Sequence, residues 1–427
     1  MDPSRLPRLV VTTEEIDPVD DLLLLTEPDA PLAWMRRDHG IVGASAPVVE
    51  LQLQGSGASP ARFADLWRRL AATAIIRDDV RLPGTGLVGF GALAFDPQHS
   101  SAGSALIVPS YVFGRHDGRS WVTRISRADA TTTTPVPAAN GGLTTPTPYG
   151  PLWSATLGPG RQGPAGYQAS VAQGIAAIAA GDYDKVVLAR DVAGTIPRGA
   201  DLRRLVRALA HDYPDTWTFA VDGLVGASPE TLITVREGRA TARVLAGTTP
   251  RGADATEDAA ASAALMQSEK DLSEHRFAVQ SVLDTLAPHT RDLHADDSPF
   301  ALELPNLWHL ATDVAGTIRD DASALDLVAV LHPTAAVAGT PTDAAIRAIR
   351  DLEPFDRGRY AGPVGWVDGN GDGEWAIALR CAQIGSEGGE TRPVTAYAGA
   401  GIVAGSVPET ELLETRVKLR PVIDALA

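Results

Sequence analysis

The turn Asn370-Gly371-Asp372-Gly373, set between two strand-length apolar runs, limits the possible folds more than any other stretch. Asn-Gly and Asp-Gly supply the positive-φ positions that a tight hairpin needs. Arg359–Val367 and Glu374–Gln383 are therefore expected as antiparallel neighbours, with Pro393–Ala398 as a further strand. Phe113–Ile125 reads as a second hairpin, turning at His116, Asp117 and Gly118. Short strands are expected at Leu22–Leu25, Pro31–Met35, Ile41–Gly43, Leu87–Phe95, Ser104–Val112, Trp217–Val221 and Arg239–Val244. Leu307–Ile318 reads as a kinked strand. Helical spacing marks fewer segments. Arg62–Arg77 carries Phe63, Leu66, Leu70 and Ala74 on one stripe, followed by Gly166–Ala180, Leu202–Ala210, Ala253–Leu286 as one long helix, and Ser323–Val330.

Residues 131–165 are rich in Thr, Pro and Gly and read as a linker or surface excursion. Residues 1–130 are expected to add sheet strands to the same fold, and 166–427 to form its chemistry-bearing core. A net charge of −16 argues against binding nucleic acid or an anionic membrane through a general positive field. An anionic substrate would need local cations. The single cysteine, Cys381, lies in an apolar strand-like run and excludes an intrachain disulfide or a multi-thiolate metal site. No apolar run reaches the roughly 20 residues of a membrane span, and Met1–Ile16 has no signal-peptide core, so a cytoplasmic location is expected.

Chemistry-bearing residues concentrate after residue 180. Lys185 opens the apolar run Val186-Val187-Leu188-Ala189, either snorkelling to solvent or held beside apolar groups as a base. Glu230 follows Ser228-Pro229 at the mouth of a strand, as surface decoration or as an acid whose pKa burial raises. Gly247, Thr248 and Thr249 offer amides and hydroxyls to an anion. Asp271 and Glu274 are three apart on a helix, and Glu274 shares the stripe of Phe277, Ala278 and Val282. That places Glu274 either as a metal ligand facing the core or at the stripe's edge reaching water. His309 and His332 read as satisfied histidines or as part of a pocket wall. Arg380, deep in an apolar run, must meet an anion. Finally, Gly399, Ala400 and Gly401 lead to an acidic helix start with Glu409, Glu411 and Glu414. The macrodipole accounts for Glu409. The others, beside a Gly-rich turn, suit a divalent cation or a solvated face equally, and carboxylate-only ligands favour Mg²⁺ over zinc.

The strings DKVVLAR, GASPETL, LAGTTPRG, SEKDLSEHRF, LWHLAT, LHPTAAVAGTP, GPVGWVDGNGDGEWAIALRCA and YAGAGIVAGSVPETELLETRVKL occur in one order over Lys185–Lys418. Together they resemble the chorismate-binding enzymes, and within them the isochorismate synthases. The resemblance implies an α+β fold, a single large domain of stacked antiparallel sheets flanked by helices. It implies Mg²⁺ held by Glu274 and Glu414, with Asp271 and Glu411 contributing directly or through water. Arg380 matches the arginine that grips the enolpyruvyl carboxylate of chorismate, while Gly247, Thr248, His309, Ala336, Val337, Gly399, Ala400 and Gly401 line the site. Lys185 marks members that add water rather than ammonia, so no amidotransferase subunit is expected, and the chain is expected to be a monomer. The implied mechanism has Lys185 activating water for attack at C2 and Glu230 protonating the departing C4 hydroxyl. Ala335 stands where many relatives carry proline, and Thr340-Pro341-Thr342 replaces a bulkier, basic continuation. The alternatives are a salicylate synthase, which goes on to eliminate pyruvate, and a silent chorismate-binding paralogue. Ala336, where eliminating relatives tend to carry threonine, favours the isomerase.

Overall fold

The computed structural model describes residues 6–129, 145–305, 307–386 and 389–427. Among these, 21 strands join through backbone hydrogen bonds into one connected, almost wholly antiparallel β-system, with eight α-helices packed on it. The fold is α+β. The NGDG segment joins Pro363–Asp368 to Gly373–Ile377, and Asp117 and Gly118, both at positive φ, turn the hairpin between Ser104–His116 and Arg119–Arg127. The strands of the first 130 residues pair mostly with one another and join the later strands at two places. Val88–Ala92 pairs with Pro363–Asp368, and Leu32–Arg36 pairs with Trp217–Val221. The indole N–H groups of Trp34 (2.9 Å) and Trp366 (3.2 Å) both donate to Glu374 Oε2, tying these layers together.

Two hydrophobic clusters fill the interior. The larger holds Trp34, Phe63, Phe90, Trp121 and Trp375, and the smaller gathers Leu205, Val206 and Leu209 with Leu419, Val422 and Leu426. Helix Pro60–Thr73 shows how sequence sets this packing. Ser59 caps it by accepting from Arg62 N (3.3 Å), Pro60 stands in its first turn, and Phe63, Leu66 and Leu70 are buried. Burying each such side chain contributes about 1.5–3 kcal/mol. Gly181, in the left-handed conformation, ends helix Pro164–Ala180.

Several segments differ from expectation. Leu22–Leu25 is a 3-10 turn, because Asp21 caps it and takes the amide of Leu23 (3.0 Å). The stretch Arg62–Arg77 is helical only to Thr73, and Ile75–Asp78 then runs as a strand parallel to Leu9–Ile16. The long helix of Ala253–Leu286 is two helices, Ala255–Gln267 and Glu269–Leu286, broken where Ser268 turns its hydroxyl to the Asp271 amide (3.2 Å). Glu374–Gln383 is likewise two strands, Gly373–Ile377 and Cys381–Ile384, separated by Arg380 at φ 50°. Of the Thr/Pro/Gly-rich stretch, residues 131–144 lie outside the described residues. Beyond them, Thr147 N donates to Leu24 O (2.8 Å) and Ala155 N to Leu426 O (2.7 Å), so this part lies along the smaller cluster. Among the described residues, no helix is long and apolar enough to cross a membrane.

Candidate active site

Strand Lys185–Pro197 pairs along its length with Thr391–Ile402 and, at its first two residues, with Gly339–Thr340. This holds Lys185 in the interior, 7% exposed, where its ammonium meets Glu274 Oε1 at 2.7 Å. Glu274 lies in the second turn of helix Glu269–Leu286, one turn beyond the Ser268 break. The next residue anchors that turn. Buried His275 bonds through Nδ1 to Ala246 O (3.1 Å) and through Nε2 to Thr312 Oγ1 (2.7 Å). Gly401 crosses directly over the Lys185–Glu274 pair, where a Cβ would stand 2.9 Å from Glu274 Oε1 and 3.1 Å from Lys185 Cε. A larger residue there would press on the pair as it stands.

These groups open onto a cavity of about 230 Å³. Its walls carry Lys185, Glu230, Gly247, Thr248, Asp271, Glu274, His309, Ala336, Val337, Arg380, Gly399, Gly401, Glu411 and Glu414. Of the residues expected at the site, Ala400 alone is not on this wall. The expected Gly-rich turn is instead the end of strand Thr391–Ile402, where successive residues face opposite sides. Gly399 and Gly401 therefore face the cavity, and Ala400 packs into the core opposite Leu188. Ala335, next to Ala336, lines an adjoining apolar cavity of about 270 Å³ that shares Lys185 and Glu274.

Glu230 sits between strands Leu224–Ser228 and Thr231–Arg236, anchored by its own amide on Ser228 Oγ (3.2 Å). Burial pushes its carboxyl up to about 7, although Lys185, Arg380 and Lys418 all pull the other way. A carboxyl in this position can carry a proton near neutrality and give it up. Arg380 owes its direction to the left-handed break between two strands. It is buried, which holds its pKa below the ordinary guanidinium range, and its Nη2 lies 3.4 Å from His309 Nε2. A guanidinium only donates, so His309 accepts at Nε2 and carries its proton on Nδ1. Burial and the neighbouring Arg380 keep that ring neutral. His309 Nδ1 then donates to Thr248 Oγ1 (2.9 Å), which leaves the threonine hydroxyl proton for a group in the cavity. The loop is possible because Gly247, at φ 82°, forms a bulge in strand Arg239–Pro250. His332 has a structural part, bonding through Nε2 to Phe95 O (2.9 Å).

The carboxylates Asp271, Glu274, Glu411 and Glu414 converge from two helices, Glu269–Leu286 and Pro408–Leu426. Glu414 pairs with Lys418 at 2.5 Å, Asp271 takes the Ser268 hydroxyl, and Glu409 lies outside, accepting from Gln168 Nε2 (3.3 Å). Among the described residues, no three acidic, histidine or cysteine side chains are gathered closely enough to hold an ion as they stand. Hard oxygen donors facing one cavity still suit Mg²⁺ chemically, and the lysines hold the sites such an ion would take on Glu274 and Glu414.

Sequence reasoning missed Pro229, Leu379, Thr410, Lys418, Tyr360 and Arg357, all on the same wall. Lys418 was discoverable as the i+4 partner of Glu414, and it also donates to Gly399 O (3.1 Å). Arg357 follows Glu353 by the same four residues, but past the end of helix Thr342–Leu352. It is buried, binds Glu353 through two nitrogens, and donates to Val337 O (3.0 Å) and Val187 O (2.7 Å), joining the wall to the strand of Lys185.

The family described as chorismate binding enzyme matches residues 2–427. Isochorismate synthase DhbC of Bacillus subtilis is 42% identical over 62% of this chain and 68% of its own length. Isochorismate synthase EntC of Escherichia coli is 38% identical over 60% of this chain and 66% of its own. The structure of MenF, the menaquinone-specific isochorismate synthase of Escherichia coli, superposes with a TM-score of 0.79 at 25% identity, covering 99% of this chain and 95% of that one. With a match over nearly its whole length, this chain belongs to the family of chorismate-binding enzymes.

Proposed function

We propose that the chain is an isochorismate synthase that moves the ring hydroxyl of chorismate from C4 to C2. One observation carries this reading: Lys185 and Glu230, a base candidate and a carboxyl raised to about 7, open onto one cavity beside the buried cation Arg380. The relatives DhbC and EntC, both named isochorismate synthases, support it. Among the described residues Arg380 makes no ion pair with a carboxylate, so a substrate carboxylate would be its natural partner. Thr248, turned by His309, adds a donor.

In the forward direction Lys185, deprotonated to the neutral amine in the active form, takes a proton from water as the oxygen bonds to C2. The ring double bonds shift, and the C4–O bond breaks as Glu230 gives its proton to the departing hydroxyl, which leaves as water. Each such transfer contributes roughly 10²–10⁴-fold. Glu274 and Glu414, with Asp271 and Glu411, would hold Mg²⁺ in place of the lysine contacts, and the ion would supply charge neutralisation for a ring carboxylate. The two isomers differ only in hydroxyl and double-bond placement, so neither should be favoured by more than about 1 kcal/mol, within roughly tenfold.

Incubation with chorismate and Mg²⁺, followed by chromatography, tests the proposal. Isochorismate is expected to accumulate in a mixture with chorismate, and the same mixture should form from isochorismate. Unchanged chorismate, or pyruvate released in step with salicylate, would overturn it.

A further inference from the structure

We infer that Thr334 is a positioning residue for Glu230 and acts on it through one buried water. The inference rests on the reading of Glu230 as the acid. Two observations carry it. The Thr334 hydroxyl is shut off from solvent and has no hydrogen-bond partner among the described residues. Native proteins leave few such groups, and a buried water is their usual partner. Separately, a void of about 10 Å³ touches Thr334, Glu230, Ala336, Val244, Ala278 and Ile377. That is roughly the space one water needs. Glu230 also lines the main cavity, so the same residue borders two spaces, one of about 230 Å³ and one with room for a single water.

The chemistry of a protonated carboxyl explains what the small space would do. Its O–H must point at the leaving hydroxyl, which leaves its carbonyl oxygen to accept. A water in the void donates to that oxygen and accepts a hydrogen bond from the Thr334 hydroxyl on its own oxygen. Both groups are then satisfied, and the carboxyl is fixed with its proton toward the substrate. The charged groups acting on Glu230 are Lys185, Arg380 and Lys418. Arg243 borders the void but is bound to Asp313 (2.6 Å), so a change at Thr334 leaves all four in place.

The test uses the full chain with chorismate and Mg²⁺. Thr334→Val should lower kcat by about tenfold, a part of what an oriented acid contributes, with KM unchanged. Its high-pH limb should move to higher pH, because a dry void removes a donor to the ionised carboxylate. Thr334→Ser should restore both. A crystal structure that resolves ordered water should place one within hydrogen-bond distance of Thr334 Oγ1 and Glu230, and none there in Thr334→Val. A dry void in the wild type, an unaltered kcat and limb in Thr334→Val, or equal defects in the valine and serine variants would each overturn the inference. If Glu230→Gln keeps its turnover, the acid assignment falls and this inference with it. If Glu230→Gln is inactive while Thr334→Val is normal, only this inference falls.

Discussion

Glu230 and Glu274 face one cavity under opposite electrostatic conditions. Glu230 stands in a turn between strands, buried and without an ion-pair partner among the described residues, and burial carries its carboxyl up to about 7. Glu274 projects from a helix and meets the Lys185 ammonium at 2.7 Å. A carboxyl kept protonated can donate; a carboxylate already matched by one cation can exchange it for another. Residue type alone does not separate the two roles. The surroundings do, and each can be altered independently.

The largest effect is expected where the comparison is most direct. Glu230→Gln should lose roughly 10²–10⁴-fold in kcat while still binding chorismate, and Lys185→Ala should behave alike. Near-normal turnover in either variant would show that its role is misassigned. Next comes Glu274→Gln, which keeps the shape but not the charge. We expect Mg²⁺ affinity, read by titration calorimetry, to weaken at least about 100-fold, beyond the range seen when outer partners of a ligand are altered. Wild-type turnover should cease on exhaustive chelation. Unchanged Mg²⁺ binding in Glu274→Gln would leave Glu274 as no more than the partner of Lys185.

The smaller effects concern pH. Glu230 acts in its protonated form, so kcat should decline as pH rises through about 7. Stability follows the same sign. The folded-state pKa is raised from 4.5 to about 7, so the group's contribution is fully present below 4.5 and is lost as pH rises through 7. Well above 7 the loss approaches about 3 kcal/mol. Glu230→Gln should therefore gain on the wild type by up to that amount between pH 5 and pH 8, read from denaturant midpoints. Asp368, also raised to about 7 by burial and by Asp372, titrates in both proteins and cancels in the difference. The smallest change is Ala336→Thr, which adds a hydroxyl to the wall. Salicylate and pyruvate should rise above the wild-type trace while isomerisation persists. No change in product ratio would remove Ala336 from control of where the reaction stops.

Much of this site was legible because its residues lie in short, ordered strings, and their types suit one chemistry. Lys185, Glu230, Glu274, Arg380 and Glu414 could be named without coordinates. What could not be read was how backbone geometry aims them. The left-handed Arg380 interrupts a run that is apolar on both sides, so periodicity gave no warning, whereas the Ser268 break falls in the polar stretch Gln267–Asp271, where Ser268 and Asp271 stand at capping spacing. Gly399–Gly401 resembled a turn because glycine signals turns, yet here it permits close approach within a strand, which also sends Ala400 into the core. Arg357 and Tyr360 reach the cavity only through tertiary contacts. The hairpins, by contrast, were visible because turn chemistry is local.

The central claim is that water attacks C2 while the C4 oxygen leaves. Turnover of chorismate in ¹⁸O-enriched water, stopped early and followed by mass spectrometry, tests this most directly. The account predicts isochorismate carrying one solvent-derived oxygen, located at the C2 hydroxyl. Isochorismate formed without label would mean that the hydroxyl migrates within the substrate, and would contradict the paired roles of Lys185 and Glu230.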